Sequence, residues 1–241
     1  MTAVDSKSSR SSAALVDFVE RTTQVAEQAF AVWRATGTIS SSGTAQIHER
    51  VPGESQILQV NLPDQWKSRH PVVTPAVYTF DGIPVVGDER AARGARRFAA
   101  IFEQHDDITT VIHVHTPYLG AWAQAHRALP INYVAVQRLT LVRELPVYID
   151  RTQTEVDFIL EQLARDADLP AIVEANGGAT VWGRTGLSAT VQFIQLLEEG
   201  AQYQTLAQEQ GGSREYGAGV LAQQWAMTGL TEAARAKNLL A

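Results

Sequence analysis

The run "VIHVHTPY", residues 111–118, sets two histidines two apart inside an apolar segment and closes it with a proline. Residues i and i+2 of a strand point to the same side, so His113 and His115 share one face while Ile112 and Val114 occupy the other. Two imidazoles side by side in an apolar setting need a partner, and a metal ion is the obvious one. The spacing predicts a strand over "ITTVIHVH" and a helix opened by Pro117, where proline in the first turn costs nothing. Open α/β folds place their sites at such strand-to-helix edges.

The rest of the chain alternates between the two periodicities. Leu15, Phe18, Val19, Val25, Ala26, Ala29, Phe30 and Trp33 recur at helical spacing, with Gly37 as the C-terminal cap. Between 43 and 86 the runs "AQIHERV", "SQILQVNL", "VVTPAVYTF" and "IPVV" read as strands split by Pro-Gly and Asp-Gly turns. "ERAARGARRFAAIFEQH" and "EVDFILEQLARDA" read as helices, and "LPAIVEA" and "ATVWG" as strands around an Asn-Gly-Gly turn. A long helix from "LSATVQ" ends at Gly211 and Gly212, with further helix beyond Tyr216. This order predicts one α/β domain over 13–241, a central mostly antiparallel sheet flanked by helices, behind a polar, serine-rich disordered tail at 1–12.

Composition removes several function classes. The 241 residues include no cysteine, which excludes disulfides, zinc knuckles and thiol catalysis. Net charge is −6 and the basic residues are scattered, so nucleic acid is not an expected partner. No apolar run approaches the ~20 residues of a membrane span, and no signal-peptide core is present, so the expected location is the cytoplasm.

A second unusual segment is "EANGGATVWG". Asn-Gly-Gly after a strand implies backbone at positive φ or approached closely by another group. A tight turn accounts for the glycines but not for Glu174 and Asn176 at the edge of an apolar strand. Tyr118 and Trp122, just after the histidines, would suit a ligand pocket, with core packing the alternative for Trp122.

The segments "DITTVIHVHTPYLGAWA", "LPINYVAV", "EANGGATVWGRTG" and "LLEEGAQYQTLAQEQGG" resemble, in order and spacing, the class II aldolase/adducin family over roughly residues 15–212. That resemblance implies an α/β/α sandwich, usually a fourfold homotetramer with sites between subunits. It implies a divalent metal, commonly zinc, held by three histidines, together with a proton-transfer glutamate and a tyrosine from a neighbouring subunit. Position by position, His113 and His115 match two ligands, Tyr133 matches the tyrosine, and Gln46 falls where substrate is contacted. Two positions depart: Gly177 stands where the third histidine belongs, and Gly94 where the glutamate belongs.

Within the family, the Asn-Gly-Gly-Ala-Thr-Val-Trp-Gly segment and the serine-rich N-terminus look similar to the decarboxylating non-haem iron oxygenases of novobiocin and clorobiocin biosynthesis. That closer resemblance implies Fe(II), with zinc the alternative, and oxidative decarboxylation of an aromatic 2-keto or 2-hydroxy acid with O2. The aromatic ring would pack among Tyr118, Tyr133 and Trp182, with Asn176 also at the substrate. For the third metal ligand His48 ranks first, because it shares Gln46's face of a strand, and Glu174 second, as ligand or catalytic carboxylate. His70, His105 and His126 read as surface residues. A metal-dependent aldehyde-lyase and a non-catalytic adducin-like module are the competing readings.

Overall fold

The protein is described by a computed structural model covering residues 3–64, 66–67, 71–87 and 95–240, with side chains from residue 13 onward except at 95. Helix α1 (Ala3–Thr36) leads into strands β1 (Ala45–Arg50), β2 (Gln56–Asn61), β3 (Ala76–Thr79) and β4 (Pro84–Val86). A 3₁₀ turn, Ala95–Phe98, runs into α2 (Ala99–Gln104), then β5 (Thr110–Val114) and α3 (Pro117–Gln124). A short section follows with β6 (Leu129–Pro130), α4 (Val134–Gln137), β7 (Glu144–Leu145) and β8 (Val147–Tyr148). Next come α5 (Glu155–Arg165), β9 (Ala171–Glu174), β10 (Ala179–Gly183) and α6 (Leu187–Leu206), then α7 (Ala218–Met227) and α8 (Thr231–Ala236).

Eight strands form one sheet in the order β4-β3-β2-β1-β5-β10-β9-β8, and β6 pairs with β7 apart from it. Every neighbouring pair in the large sheet is antiparallel except β8–β9. Helices α1 and α6 pack together against one face, while α2 and α5 pack together over the other, giving an α/β/α sandwich as expected. One continuous apolar core joins the layers through residues such as Trp33, Ile47, Phe102, Ile112, Ile159 and Val181. Trp225 anchors the C-terminal helices separately, its indole N–H donating to the carbonyl of Gln137 at 2.9 Å.

The local signals act as elementary chemistry dictates. Gly37 takes φ 73° and ends α1. Pro117 sits in the first turn of α3. The Thr154 hydroxyl caps α5 by accepting from the Asp157 amide at 3.1 Å. In α5, read as a helix from the sequence, the buried Val156, Ile159 and Leu163 form an apolar stripe. One boundary differs: α1 begins at Ala3, inside the stretch expected as a tail. No glycine or proline interrupts 3–36, so nothing in the backbone stops the helix from extending.

Beneath the start of α6 lies a buried acid. Glu49 of β1 accepts from the Thr110 hydroxyl at 2.5 Å, beside Gly186, which caps α6 at φ 92°. Burial raises its pKa to about 7, against the Thr110 hydroxyl and the Leu187 amide, which pull it down. A carboxyl with a raised folded-state pKa contributes most below its unfolded value, near 4.5, and that stability is lost as pH climbs toward 7. At 1.36 kcal/mol per pKa unit the loss is about 3 kcal/mol. Denaturant titration from pH 4.5 to 8 should therefore show the wild type weakening with pH more steeply than Glu49→Gln. Parallel pH profiles for the two proteins would refute the assignment to Glu49.

Candidate metal centre

Strand β5 lies between β1 and β10, and their registers decide what surrounds the histidines. Gln46 is opposite His113 on one side and Thr180 on the other. Thr180 also pairs with Ile172, so Glu174, two residues further along β9, stands on the same face. His115 follows the end of β5, its amide donating to the Thr44 carbonyl at 3.0 Å and its carbonyl accepting from the Ser40 amide at 2.9 Å. The Asn-Gly-Gly turn presses on it: a Cβ at Gly178 would lie 2.1 Å from the Val114 carbonyl oxygen and 2.8 Å from His115 Cδ2.

Just beyond, Glu198 of α6 caps α3. Its carboxylate accepts from the Thr116 hydroxyl at 2.6 Å and from the amides of Tyr118 and Leu119 at 2.7 and 2.9 Å. Burial pushes this carboxyl upward in pKa while the three donors oppose the shift. A buried acid on α6 thus fixes where the chain turns after His115.

The two imidazoles meet nearly at right angles, with Nε2 atoms 3.2 Å apart and planes at 73°. Two nitrogens ~2.0–2.1 Å from one tetrahedral ion would stand about 3.4 Å apart, so the pair fits a shared cation. Burial and the neighbouring His113 lower the pKa of His115, with Glu174 opposing, which favours the neutral ring a metal requires.

The other edge of His113 meets carboxylate. Nδ1 lies 2.8 Å from Glu174 Oε1 and 3.2 Å from the Thr180 hydroxyl. That hydroxyl is also 2.7 Å from Glu174 Oε1 and 2.5 Å from Glu155 Oε1. Arg97 closes the cluster, its Nε donating to Glu155 Oε2 at 2.9 Å, with Nη2 3.9 Å from Glu174 Oε2. Burial alone would raise Glu174, but His113, Thr180 and Arg97 outweigh it and bring its pKa to about 2. Glu155 is shifted upward by burial and by the charge of Glu174.

Ligand atoms of His113, Glu155 and Glu174 all lie within 4.8 Å of one another, a spacing that could hold a cation. Arg97 and the Thr180 hydroxyl already serve those oxygens. The Nε2 pair presents two imidazole lone-pair positions free of that ion pair, and is the better candidate on donor chemistry.

The remaining candidates separate. His48 shares the Gln46 face but pairs with Val111, one step further from the histidines, and forms no close ligand group with them. It is wholly buried edge-on to Phe98, and neither ring nitrogen has a hydrogen-bond partner. Burial, then the charge of Arg97, take its pKa down to about 3, with the Val111 backbone opposing. Gln46 lies beside His113 as its register partner. Asn176, at φ 56°, is bridged to His126 Nε2 at 2.7 Å and to Gln124 at 2.7 Å, which holds the Gly177–Gly178 turn against the end of α3.

Trp182 is core, opposite Val111, whereas Tyr118 and Tyr133 lie against α6 through Gln202 and Glu199. Trp182, expected to share a pocket with the two tyrosines, is therefore on a different element from the α6 face they line within one chain. The hydrogen bond to Glu199 and partial burial raise the Tyr133 phenol to about 12. Gly94 and His70 lie outside the described residues. Sequence reasoning passes over Arg97, Glu155 and Thr180, which look locally like an ordinary helix residue, a first-turn acid and a strand threonine. Only the Thr154 cap marks Glu155's helix start.

Among solved structures the fold is similar to an L-fuculose 1-phosphate aldolase at 14% identity, TM-score 0.66, covering 86% of this chain and 95% of that one. YgbL from Escherichia coli, a candidate aldolase/epimerase/decarboxylase, matches at 19% identity and TM-score 0.63, with 87% and 98% covered. The L-fuculose-1-phosphate aldolase of Thermus thermophilus matches at 19% identity and TM-score 0.57, with 77% and 95% covered. No curated protein sequence matches significantly. The family profile described as "Class II Aldolase and Adducin N-terminal domain" matches residues 45–205, and the chain belongs to that family.

Proposed function

We propose that the protein is a divalent-metal-dependent lyase that breaks a carbon–carbon bond beside a carbonyl, with His113 and His115 holding the ion. The observation that carries this reading is the pair of Nε2 atoms 3.2 Å apart at a strand-to-helix edge. When bound, such an ion supplies Lewis acidity to a substrate carbonyl or carboxylate. Gln46, the register partner of His113, would donate an amide hydrogen bond to a substrate oxygen. The small Gly177–Gly178 turn shapes the wall behind His115. A small 2-keto or 2-hydroxy acid, able to chelate, is the substrate class these groups favour.

A second reading has its own support. Gly177 provides no side-chain ligand, and Glu174 is turned to the Nδ1 side of His113. Two imidazoles with several open positions suit iron(II) with a keto acid and dioxygen, as in oxidative decarboxylation. Zinc supports the lyase and iron the oxygenase. We also propose a homotetramer in which Tyr133 serves a neighbouring subunit, because its hydroxyl is engaged by Glu199 on its own α6.

Four outcomes are expected. Titration with Zn2+ or Fe2+ should give one ion per chain, abolished in His113→Ala or His115→Ala without loss of the far-ultraviolet circular dichroism spectrum. Gly177→His should tighten binding, since Gly177 has ordinary φ and its added Cβ would meet only the Glu174 carbonyl at 3.3 Å as a tight contact. Full occupancy in the double alanine variant would remove the metal assignment. Anaerobic turnover of a panel of keto and hydroxy acids should persist for a lyase, and strict dependence on oxygen would establish the second reading instead. Sedimentation should show a species near four chains, and an active 26.3 kDa monomer would rule out the assembly.

A further inference from the structure

We infer that Glu174 is a positioning residue: with Thr180, Glu155 and Arg97 it fixes His113 as the Nδ1–H tautomer and leaves the Nε2 lone pair directed toward His115. The effect on metal binding rests on the reading proposed above, whereas the tautomer itself does not.

The hydrogen count leads there. Around the Thr180 hydroxyl stand three groups within 3.2 Å: Glu155 Oε1, Glu174 Oε1 and His113 Nδ1. One O–H can donate to only one of them at a time. Glu174 is an acceptor when ionised, so its 2.8 Å contact with Nδ1 is a hydrogen bond only if Nδ1 carries the proton. With the opposite tautomer, the Nδ1 lone pair would face a buried carboxylate oxygen at 2.8 Å, and the one nearby donor, the Thr180 hydroxyl at 3.2 Å, has two carboxylate oxygens closer to it. The carboxylate is itself anchored, by Thr180 from β10 and by the charge of Arg97, which also grips Glu155 at the first turn of α5.

These partners come from three elements whose sequence positions are far apart. The 3₁₀ turn supplies Arg97, α5 supplies Glu155, and the β9–β10 pair supplies Glu174 and Thr180. Each makes a directional bond on the face of the sheet opposite α1 and α6. The ring of His113 has little freedom to turn, being almost fully buried. A metal-binding histidine whose other N–H is taken by a carboxylate is held in orientation and made a better ligand. The two Nε2 atoms can then converge without first breaking a hydrogen bond at Nδ1.

The experiment reads the tautomer and the affinity separately. Long-range 1H–15N correlation spectra of metal-free, histidine-labelled full-length protein report which ring nitrogen of His113 bears hydrogen, and Co2+ titration gives affinity with a visible spectrum. Wild type should show Nδ1–H. Glu174→Leu should lose that preference and weaken Co2+ binding about 10–100-fold. Glu174→Gln, which keeps an acceptor of the same shape, should recover part of both, and it stands in if the leucine variant fails to fold. Thr180→Val should produce a smaller change in the same direction.

An Nε2–H tautomer in the wild type would overturn the inference. So would a folded Glu174→Leu variant that keeps the Nδ1–H form and Co2+ affinity both within twofold of wild type. A wild-type protein with Nδ1–H at His113 but no Co2+ binding would uphold the positioning role and defeat the metal-dependent reading.

Discussion

The antiparallel register of β5 between β1 and β10 is the constraint on which the site depends. It sets Gln46 and Thr180 on either side of His113 and brings Glu174 to the same face through β9. A slip of one residue on either side would turn every one of those side chains to the opposite layer. The register is held by burial on both faces. Ile47, Ile112 and Val181 pack toward α1 and α6, while His48, Val111 and Trp182 face α2 and α5. The same apolar burial that stabilises the sandwich therefore fixes the geometry of its polar cluster.

Carboxyl groups are buried here at a cost, and three of them show how it is compensated. Glu198 is satisfied by one hydroxyl and two helix amides, Glu155 by Arg97 and Glu174 by His113, with the single Thr180 hydroxyl shared between these two carboxylates. Networks of this kind rigidify a site when every member has a partner, because the low-dielectric surroundings strengthen the bonds and penalise their loss. His48 is the contrast. Its ring nitrogens have no hydrogen-bond partner and it stays neutral, behaving as an aromatic core residue against Phe98.

Family membership and site chemistry thus rest on different kinds of evidence. The profile and the shared fold place the chain among class II aldolases and adducins. The neighbours named as sugar-phosphate aldolases are under 20% identical, so their substrates do not transfer by similarity alone. This chain keeps an imidazole pair but has glycine at 177, and a catalytic assignment has to be argued from the groups that remain.

The sequence by itself determined most of the longer elements and the histidine pair, but not the short section from β6 to β8. Local physics sufficed: period-two alternation for "VIHVH", Pro117 to open α3, Gly37 to end α1, and the Val156–Ile159–Leu163 stripe of α5. Spacing also put Gln46 and His48 on a common face, which the strand register bears out. The tertiary structure alone decided which of the two candidate partners, Glu174 or His48, approaches His113. Along the chain, His48 ranks first because it shares Gln46's strand face, and Glu174 second. Strand order and register reverse that, because β9 reaches His113's face through β10, whereas His48 pairs one step along at Val111. Arg97, Glu155 and Thr180 have no local signal, since each is ordinary in its own element and acquires a role only where three distant segments converge. Arg97 and Glu155 are 58 positions apart, and His113 and Glu174 are 61 apart. Contacts of that span are set by the packing of whole layers, and no short window of sequence contains both partners.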